Sequence, residues 1–464
     1  MADNANKSSA LTVVGGGPVG AMMATFLARR GLTVALYEKR VDLRQHDISA
    51  GRSINLALAN RGIAALEKLG LMAQVNKLMI PMAGRMIHHQ NGKTAFQAYG
   101  QQPHEVIYSI SRGELNRLLL NAAEATGKVN IQFNHQCQEI DWDNSQAIFQ
   151  DNQTHEIKTI KFDRLIGADG AGSIVRQALI NRCTGHNEYQ SLGHSYKELT
   201  IPAGSDHQFQ LTAQALHIWP RGGYMLIALP NQDGSFTATL FLPNEGPNSF
   251  STLNNPDKIQ QFFAQQFSDA LPLMPTLCED FLANPTGHLG TVRCAPWHFA
   301  DKGVLIGDAA HAIVPFHGQG MNCGFEDCIA LDKCVSQFTL WGDRFAEYNK
   351  QRFLNGNAIA DMAIDNYVEM RDSVLNPDFL FKKAIGFRLE QEYPKRFIPR
   401  YSMVMFHRIP YQEAQRRGHI SEAILKQLVR GISHVDELDW QLADKLVRSQ
   451  LEEIDSESRD TTNE

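Results

Sequence analysis

Gly15, Gly17 and Gly20 form the spacing G-x-G-x-x-G, directly after the apolar run at 11–14 and directly before a helical pattern over 21–30. In that setting the first glycine makes a tight turn, the second lets backbone approach a pyrophosphate, and the third lets helix and strand pack closely. The start of the helix, with Val19 just before it, offers unpaired N–H groups to phosphate. Glu38 ends the next strand-like run (33–40), 18 residues after Gly20, where a carboxylate accepts hydrogen bonds from ribose hydroxyls. Its charge would repel a 2′-phosphate, so the tightly held dinucleotide reads as FAD or NAD rather than NADP, although Lys39 and Arg40 soften that argument.

Two more glycine-rich turns follow strand-like runs. One is GADGAGSIVR, with Asp169, Gly170 and Arg176; the other is GDAAHAIVPFHGQGMN, residues 307–322. The second is small-sided and contains one Asp, two His and no Lys or Arg, which suits backbone lying against a large flat ligand. Asp308 can also cap the helix that begins there. His311 and His317 invite a metal, but no further ligand spacing supports one. A nicotinamide dehydrogenase would continue into a complete parallel sheet after the first unit. Here the pattern breaks off and returns only at 304–308, which favours FAD bound across distant parts of the chain.

The composition removes several other classes. With 44 Lys+Arg against 50 Asp+Glu in 464 residues, the net charge of −6 argues against a broad nucleic-acid-binding face. The seven cysteines are odd in number and contain no C-x-x-C pair, so reduced thiols fit better than a disulfide framework or a zinc site. No apolar stretch approaches the ~20 residues of a membrane span. The polar residues 1–10 lack the apolar core of a signal peptide, and the polar end at 452–464 reads as frayed. A soluble, cytoplasmic protein is expected.

The elements that must position these residues follow from periodicity. Helical patterns cover 61–80, 112–126 and most of the chain from Gly324 to about residue 450, with breaks near Pro377, Pro394 and Pro399. Residues 84–110 alternate between strand-like and turn-like pieces. From about 185 to 300, runs such as HIWPRGGYMLIALP and SFTATLFLP read as an antiparallel sheet. The expected fold is mixed α/β: a Rossmann-like FAD-binding domain (1–185 and 290–345) interrupted by an antiparallel β-sheet substrate domain (186–289, with strands also near 84–110), then C-terminal helices (346–464).

The three motifs, in this order and this far apart, resemble the fingerprints of the single-component FAD-dependent aromatic hydroxylases over most of the chain. That resemblance implies non-covalent, tightly bound FAD, with NADPH as a transient co-substrate lacking its own Rossmann domain, and oxygen insertion from O2 through a flavin C4a-hydroperoxide. It assigns FAD contacts to Asp169 and Asp308, the backbone of Gly320, Met321 and Asn322 to the flavin, and close approach to the small side chain of Ala57. It also assigns an FAD contact to Arg112, which opens a helix after YSIS with Asn116 on the same face. A cation at a helix start opposes the dipole, so a ligand role there is physically reasonable. Arg40 joins Glu38 in the expected cofactor set.

Longer strings are similar to the kynurenine-hydroxylating members of that family: GRSINLALANRG (51–62), GRMIH (84–88), YKEL (196–199), ALHIWPRGGYMLIALP (215–230), PFHGQGMN (315–322), DNYVEM (365–370) and RFIPRYSMV (396–404). They imply L-kynurenine as substrate, hydroxylated at the ring carbon ortho to its amine, in tryptophan catabolism towards quinolinate and NAD. Arg85, Tyr99, Asn366 and Tyr401 would clamp the carboxylate, and Glu369 would face the ammonium. Leu216, Leu229, Phe241, Pro315, Phe316 and Met370 would wall the ring, with His317 and Gln319 positioning the reacting groups. An FAD hydroxylase for another aromatic acid, an FAD reductase without oxygen insertion, and a flavin-binding protein without activity remain open. So do the choice of NADPH over NADH and the oligomeric state, a homodimer included.

Overall fold

The computed structural model describes residues 11–45 and 55–454. The polar start, the first four residues of the string at 51–62 and most of the polar end lie outside the described residues. Strand Leu11–Val14 is buried along its whole length, as a parallel strand covered on both faces must be. Helix Pro18–Arg29 follows with Pro at its start and Arg29 in its last turn, both favourable placements. Strand Val34–Tyr37 then pairs parallel to the first.

This unit nucleates a six-stranded sheet assembled from chain-distant pieces. Its order is His298–Phe299, Gly303–Leu305, Arg164–Gly167, Leu11–Val14, Val34–Tyr37 and Val129–Gln132. All pairs are parallel except the outermost hairpin formed by the first two strands. The return to this sheet at Gly303–Leu305, some 140 residues after Arg164–Gly167, is the late return expected from the sequence. The α/β Rossmann-like fold with an antiparallel sheet and C-terminal helices is therefore the fold observed.

A second sheet of seven strands runs in the order Thr286–Ala295, His186–Ile201, Phe236–Pro243, Met225–Pro230, Ala215–Pro220, Gly84–His88 and Thr94–Ala98. It is antiparallel except where Ala215–Pro220 pairs parallel to Gly84–His88. Its last strand, Thr286–Ala295, runs across the expected boundary at 289–290, because a ten-residue strand is needed to follow the long His186–Ile201 partner. The edge strand Thr94–Ala98 is met by the segment after the π-helix, where Gln97 Nε2 donates to Val374 O at 3.0 Å, and by helix Pro377–Glu392, where Lys383 Nζ donates to Ala98 O at 3.0 Å. Two smaller antiparallel sheets complete the strands. One holds Asn55–Leu58, Ile107–Ser111 and Met79–Met82; the other holds His135–Asp141, Gln146–Asp151 and Ile157–Lys161.

The expected helix over 61–80 is shorter. It ends at Lys68, where Gly70 adopts φ +62° and Leu71 N–H returns to Leu66 O, a left-handed stop that only glycine adopts cheaply. A short helix Met72–Val75 and strand Met79–Met82 follow. The helix expected from Gly324 starts four residues earlier, as Gly320–Gln337. Trp341–Val368 runs without a break into a single π-helical segment, Glu369–Ser373.

The glycines of the first turn are not equivalent. A Cβ on Gly20 would lie 1.9 Å from Gly15 O, and one on Gly15, at φ +108°, would lie 2.2 Å from Ala168 O. Gly20→Ala should therefore destabilise the protein by ~1–3 kcal/mol or more through overpacking, read as a lower urea midpoint in the protein stripped of ligand. An unchanged midpoint would mean that the strand–helix contact is looser than the structure shows.

Candidate active site

A cavity of about 480 Å³ lies at the carboxyl ends of the central parallel strands and reaches the inner face of the seven-stranded sheet. Gly17, Pro18 and Val19 line one end, together with Ala168, Gly170 and Ala171 from the second glycine turn and Ile306 and Asp308 from the third. A Cβ on Gly17 would meet nothing within 4 Å, although Gly17 caps a buried helix. That helix has no side-chain cap, so its first N–H groups face the open space, as an anion site requires. Helix Gly320–Gln337 also starts uncapped, with Gly320 and Met321 on the cavity wall. Two uncapped helix starts, open space beside Gly17 and one cation at this end fit a flavin dinucleotide.

The cation is Arg112, which faces the cavity and has no hydrogen-bond partner among the described residues. Asp308 reaches solvent through the cavity while protein surrounds the rest of it. Burial pushes its carboxyl up, and His311 and Arg112 pull it back down. Asp308 makes no capping bond; Gly307 is the cap residue, at φ +58°. Ala57 lines the wall as expected and approaches Gly318 so closely that a Cβ there would lie 2.8 Å away.

Three expected cofactor residues act from behind the wall. Glu38 is buried, accepting from Gly16 N–H at 2.7 Å and from Arg40 Nε at 2.7 Å. Burial pushes its carboxyl up, but the Arg40 contacts outweigh this and hold it below the usual range. Asp169 does not reach the cavity: it accepts from Ser173 and from the N–H groups of Ile174 and Val175, and so shapes the turn that presents Gly170. Asn322 likewise faces inward, bracketing Ala59 N–H, Ala57 O and Gly318 O at 2.7–2.9 Å. Asn116 also works from behind, with its amide on Gly16 O at 3.2 Å.

The other end of the cavity is apolar with one charged corner. Arg85 is 5% exposed; its Nη1 donates to Glu369 Oε1 at 2.8 Å, and its Nη2 lies 3.5 Å from Asn366 Oδ1. Burial alone would lower its pKa, yet Glu369 and the two neighbouring tyrosines hold it charged. Tyr99 and Tyr401 stack at 5.4 Å, with the guanidinium 5.7 and 5.1 Å from their rings. Burial pushes Tyr99 to about 12 and Tyr401 well above the ordinary phenol, so both stay neutral donors. The Tyr99 hydroxyl and Arg85 Nε are buried without a hydrogen-bond partner. Asn366 is oriented by its amide on Phe316 O at 2.6 Å. Leu216, Leu229, Phe241, Pro315, Phe316 and Met370 all line the cavity.

The two residues expected to position reacting groups separate. His317 lines the cavity and stacks on Tyr401 at 5.4 Å, and its Nδ1 is buried without a partner. Burial pushes it down to about 3, so it is neutral. Gln319 turns away: its amide meets Met405 Sδ at 3.0 Å and its oxygen accepts from Tyr411 at 2.7 Å, so the side chain does not face the reacting region. Glu369, expected to meet an ammonium, is held by Arg85 here.

Sequence reading missed the charged network beneath the Gly307 turn. Asp327 Oδ2 accepts from Gly307 N–H at 2.9 Å and pairs with His311 Nε2 at 2.6 Å, and Oδ1 accepts from Arg352 Nε at 2.7 Å. Arg352 and Arg61 both pair with Glu326, and Arg61 lies 3.9 Å over the Tyr411 ring. His311, Cys323 and Asp327 bring three possible metal ligands together, but Arg352 already supplies the positive charge. The one signal available was a Glu-Asp pair inside the otherwise apolar run CGFEDCIAL.

Residues 7–352 match the family model described as FAD binding domain. The chain is 47% identical over 445 residues to kynurenine 3-monooxygenase of Myxococcus xanthus (strain DK1622), covering 96% of each chain. It is 44% identical to the protein of that name from Stenotrophomonas maltophilia (strain K279a), covering 96% of this chain and 98% of that one. Among solved structures, 2-methyl-3-hydroxypyridine-5-carboxylic acid oxygenase shares the fold with TM-score 0.64 at 20% identity, over 81% of this chain and 96% of that one. PqsL of P. aeruginosa in complex with 2-aminobenzoylacetate does so with TM-score 0.64 at 19% identity, over 79% and 98%.

Gly17→Ala should keep the wild-type urea midpoint yet bind FAD at least about tenfold (~1.4 kcal/mol) more weakly, because its new methyl enters the phosphate cleft; unchanged FAD affinity by fluorescence titration would move the pyrophosphate elsewhere. Asp327→Asn should cost ~3–5 kcal/mol in urea unfolding at pH 7, since it leaves buried cations short of a counter-charge. The folded pKa of Asp327, about 2, lies below its ordinary 3.8, so its contribution is present above pH 3.8 and lost as pH falls through 2. His311 is held well above its ordinary 6.5, so its contribution is full below pH 6.5 and fades at higher pH. The wild type should lose stability on the alkaline side and Asp327→Asn should lack that limb; parallel profiles would exclude the pair as its source.

Proposed function

The chain belongs to the FAD-binding-domain family and, within it, to the kynurenine 3-monooxygenases, and from that premise we propose that it converts L-kynurenine, NADPH, O2 and a proton into 3-hydroxy-L-kynurenine, NADP+ and water. The observation that carries the reading is a single buried guanidinium, Arg85, at the polar corner of an otherwise apolar slot that opens onto the flavin-type cleft.

Arg85 takes the substrate carboxylate, with the neutral hydroxyls of Tyr99 and Tyr401 as further donors. Asn366 is preset by Phe316 O and holds the guanidinium from the side. When the carboxylate displaces Glu369 from Arg85, Glu369 is free to face the ammonium. Leu216, Leu229, Phe241 and Phe316 grip the aromatic ring and keep water from the reacting carbon. Neutral His317, with one ring nitrogen unpartnered, can hydrogen-bond the substrate carbonyl or aniline and so fix which ring carbon points at the cofactor.

FAD would lie with its pyrophosphate on Gly17 and the helix start, Arg112 and Asp308 beside it, and its ring against Gly320, Met321 and Ala57. When bound it supplies the redox chemistry, accepting two electrons from NADPH and activating O2. No side chain need serve as a nucleophile, and the protein's part is to orient and to exclude water. The seven unpaired cysteines support a reducing, cytoplasmic setting. No helix among the described residues is long and apolar enough to cross a membrane.

The test is aerobic turnover of the holoenzyme with and without L-kynurenine, following NADPH loss and product mass. A product 16 mass units heavier that co-elutes with 3-hydroxykynurenine, with NADPH loss accelerated by substrate, is expected. NADPH consumption giving only hydrogen peroxide would leave the flavin site but overturn the substrate. Arg85→Ala should raise KM by about 30-fold or more, from the ~2–5 kcal/mol lost when a buried charge pair is truncated, with FAD retained; an unchanged KM would remove Arg85 from the substrate site.

A further inference from the structure

Tyr99 is the first residue beyond the edge strand Thr94–Ala98, and its N–H on Ala83 O at 3.1 Å is the last rung towards strand Gly84–His88. Residues 100–106 pair with no strand among the described residues before Ile107–Ser111 begins. A connection of this kind keeps one conformation only where its polar groups are tied down.

This turn is tied from two directions. From within, the buried carboxylate of Glu105 accepts from the N–H groups of Gln101 at 2.5 Å and Gln102 at 2.8 Å. Gly100 lies so close to that carboxylate that a Cβ would stand 2.2 Å from its Oε2. From outside, the Gln101 side chain reaches the last turns of helix Pro377–Glu392. Its Nε2 donates to Phe387 O at 3.1 Å and to Glu390 Oε2 at 2.7 Å, and its Oε1 accepts from Gln391 Nε2. Phe387 O can only accept, which fixes which end of the Gln101 amide is nitrogen. Both amide N–H groups and the oxygen then have partners, and this holds whether Glu390 is charged or neutral.

The helix is a firm point of attachment. Its Ile385 and Leu389 are fully buried in a core with Phe397, Ile424 and Leu446. The same helix holds the residue before Tyr99, through Lys383 Nζ on Ala98 O. Tyr99 is thus flanked on both sides, at Ala98 and at Gln101, by bonds to one anchored helix. Tyr99 itself is buried and lines the cavity, and its hydroxyl has no hydrogen-bond partner. A hydrogen bond weakens steeply once donor and acceptor are misaligned. The angle at which the turn delivers the phenol therefore sets its grip on a carboxylate.

We propose that Gln101 is a positioning residue for Tyr99: through it helix Pro377–Glu392 fixes the turn that presents the phenol to the substrate carboxylate. This rests on the assignment of Tyr99 to that carboxylate.

The experiment is calorimetric titration of the FAD-loaded protein with L-kynurenine, without NADPH, in wild type, Gln101→Met, Tyr99→Phe and the double variant. Both substitutions remove polar atoms and nearly keep side-chain volume. Tyr99→Phe should raise Kd by about tenfold, the loss of one hydrogen bond to a charged group. Gln101→Met should raise it by about three- to tenfold, and the double variant should lie within about twofold of Tyr99→Phe, because a misplaced phenol and an absent one bind alike. A role in general stability would instead multiply the two effects. From the other side of the contact, Glu390→Ala should raise Kd as Gln101→Met does. Glu390→Gln, which keeps an acceptor oxygen for Gln101, should stay within about twofold of wild type. Independent effects in the double variant would overturn the proposal, as would a Gln101→Met protein with wild-type Kd. If Gln101→Met does not fold, the Glu390 pair decides, and equal Kd in Glu390→Ala and Glu390→Gln overturns it. A wild-type Kd in Tyr99→Phe would remove Tyr99 from the carboxylate, and a wild type that binds no L-kynurenine would sink the substrate assignment; either takes the proposal with it.

Discussion

Asp327 is the carboxylate on which the cofactor end depends. It accepts from the N–H of Gly307, from His311 and from Arg352, and so joins the turn that presents Asp308 to the two long helices behind it. A buried network of this kind gains little net stability, because desolvation offsets most of the attraction. What it supplies is a fixed geometry for a turn made of residues too small to fix themselves. The same network continues through Glu326 and Arg61 to Tyr411, whose hydroxyl holds Gln319 one residue before the helix that starts at Gly320. The floor of the cavity and the C-terminal helices are thus parts of one ionic frame.

The opposite wall is built by a different rule. Side chains on a strand alternate between faces, so the seven-stranded sheet presents Leu216, Leu229 and Phe241 to the cavity while their neighbours build a separate core with helix Pro256–Gln266. Asn366, Glu369 and Tyr401 enter the slot from outside that sheet, on the Trp341–Val368 helix, its π-helical extension and the short helix Arg400–Met405. Arg85 comes from the sheet itself, Tyr99 directly follows its edge strand, and Thr237 and Thr239 also line the cavity from it. The site is therefore closed by elements that follow one another late in the chain around a cation placed early.

How much of this was legible depended on whether a signal was local. The first glycine turn could be read because its three roles belong to nearby residues, and the structure sets Gly15 against Ala168 and Gly20 against Gly15 while leaving Gly17 beside open space. The apolar wall and the Arg85 corner were legible through resemblance, since nothing in the spacing of Arg85, Tyr99, Asn366 and Tyr401 shows that they meet. The resemblance assigned Asp169 and the backbone of Asn322 to the cofactor; the Asp169 side chain instead holds Ser173 and the N–H groups of Ile174 and Val175, and the Asn322 side chain braces Ala57, Ala59 and Gly318 from behind the wall. The resemblance gave Gln319 a positioning role, but its side chain turns to Met405 and Tyr411. The Asp327 network left one local signal, the Glu326–Asp327 pair in an apolar run, but no spacing showed that Gly307, His311 and Arg352 meet on it.

The cover over the edge strand Thr94–Ala98 has a consequence for handling the protein. That strand alternates between exposed and half-buried residues, and Phe96 is 51% exposed. Its outer side is guarded by Val374 O, which accepts from Gln97, and by Lys383 of the Pro377–Glu392 helix, which donates to Ala98 O, rather than by another strand. Unpaired strand edges are templates for pairing with a second chain. Shortening the chain before this helix would therefore uncover a sticky edge beside an aromatic ring, and the shortened protein would be prone to self-associate into insoluble material even with its parallel sheet intact.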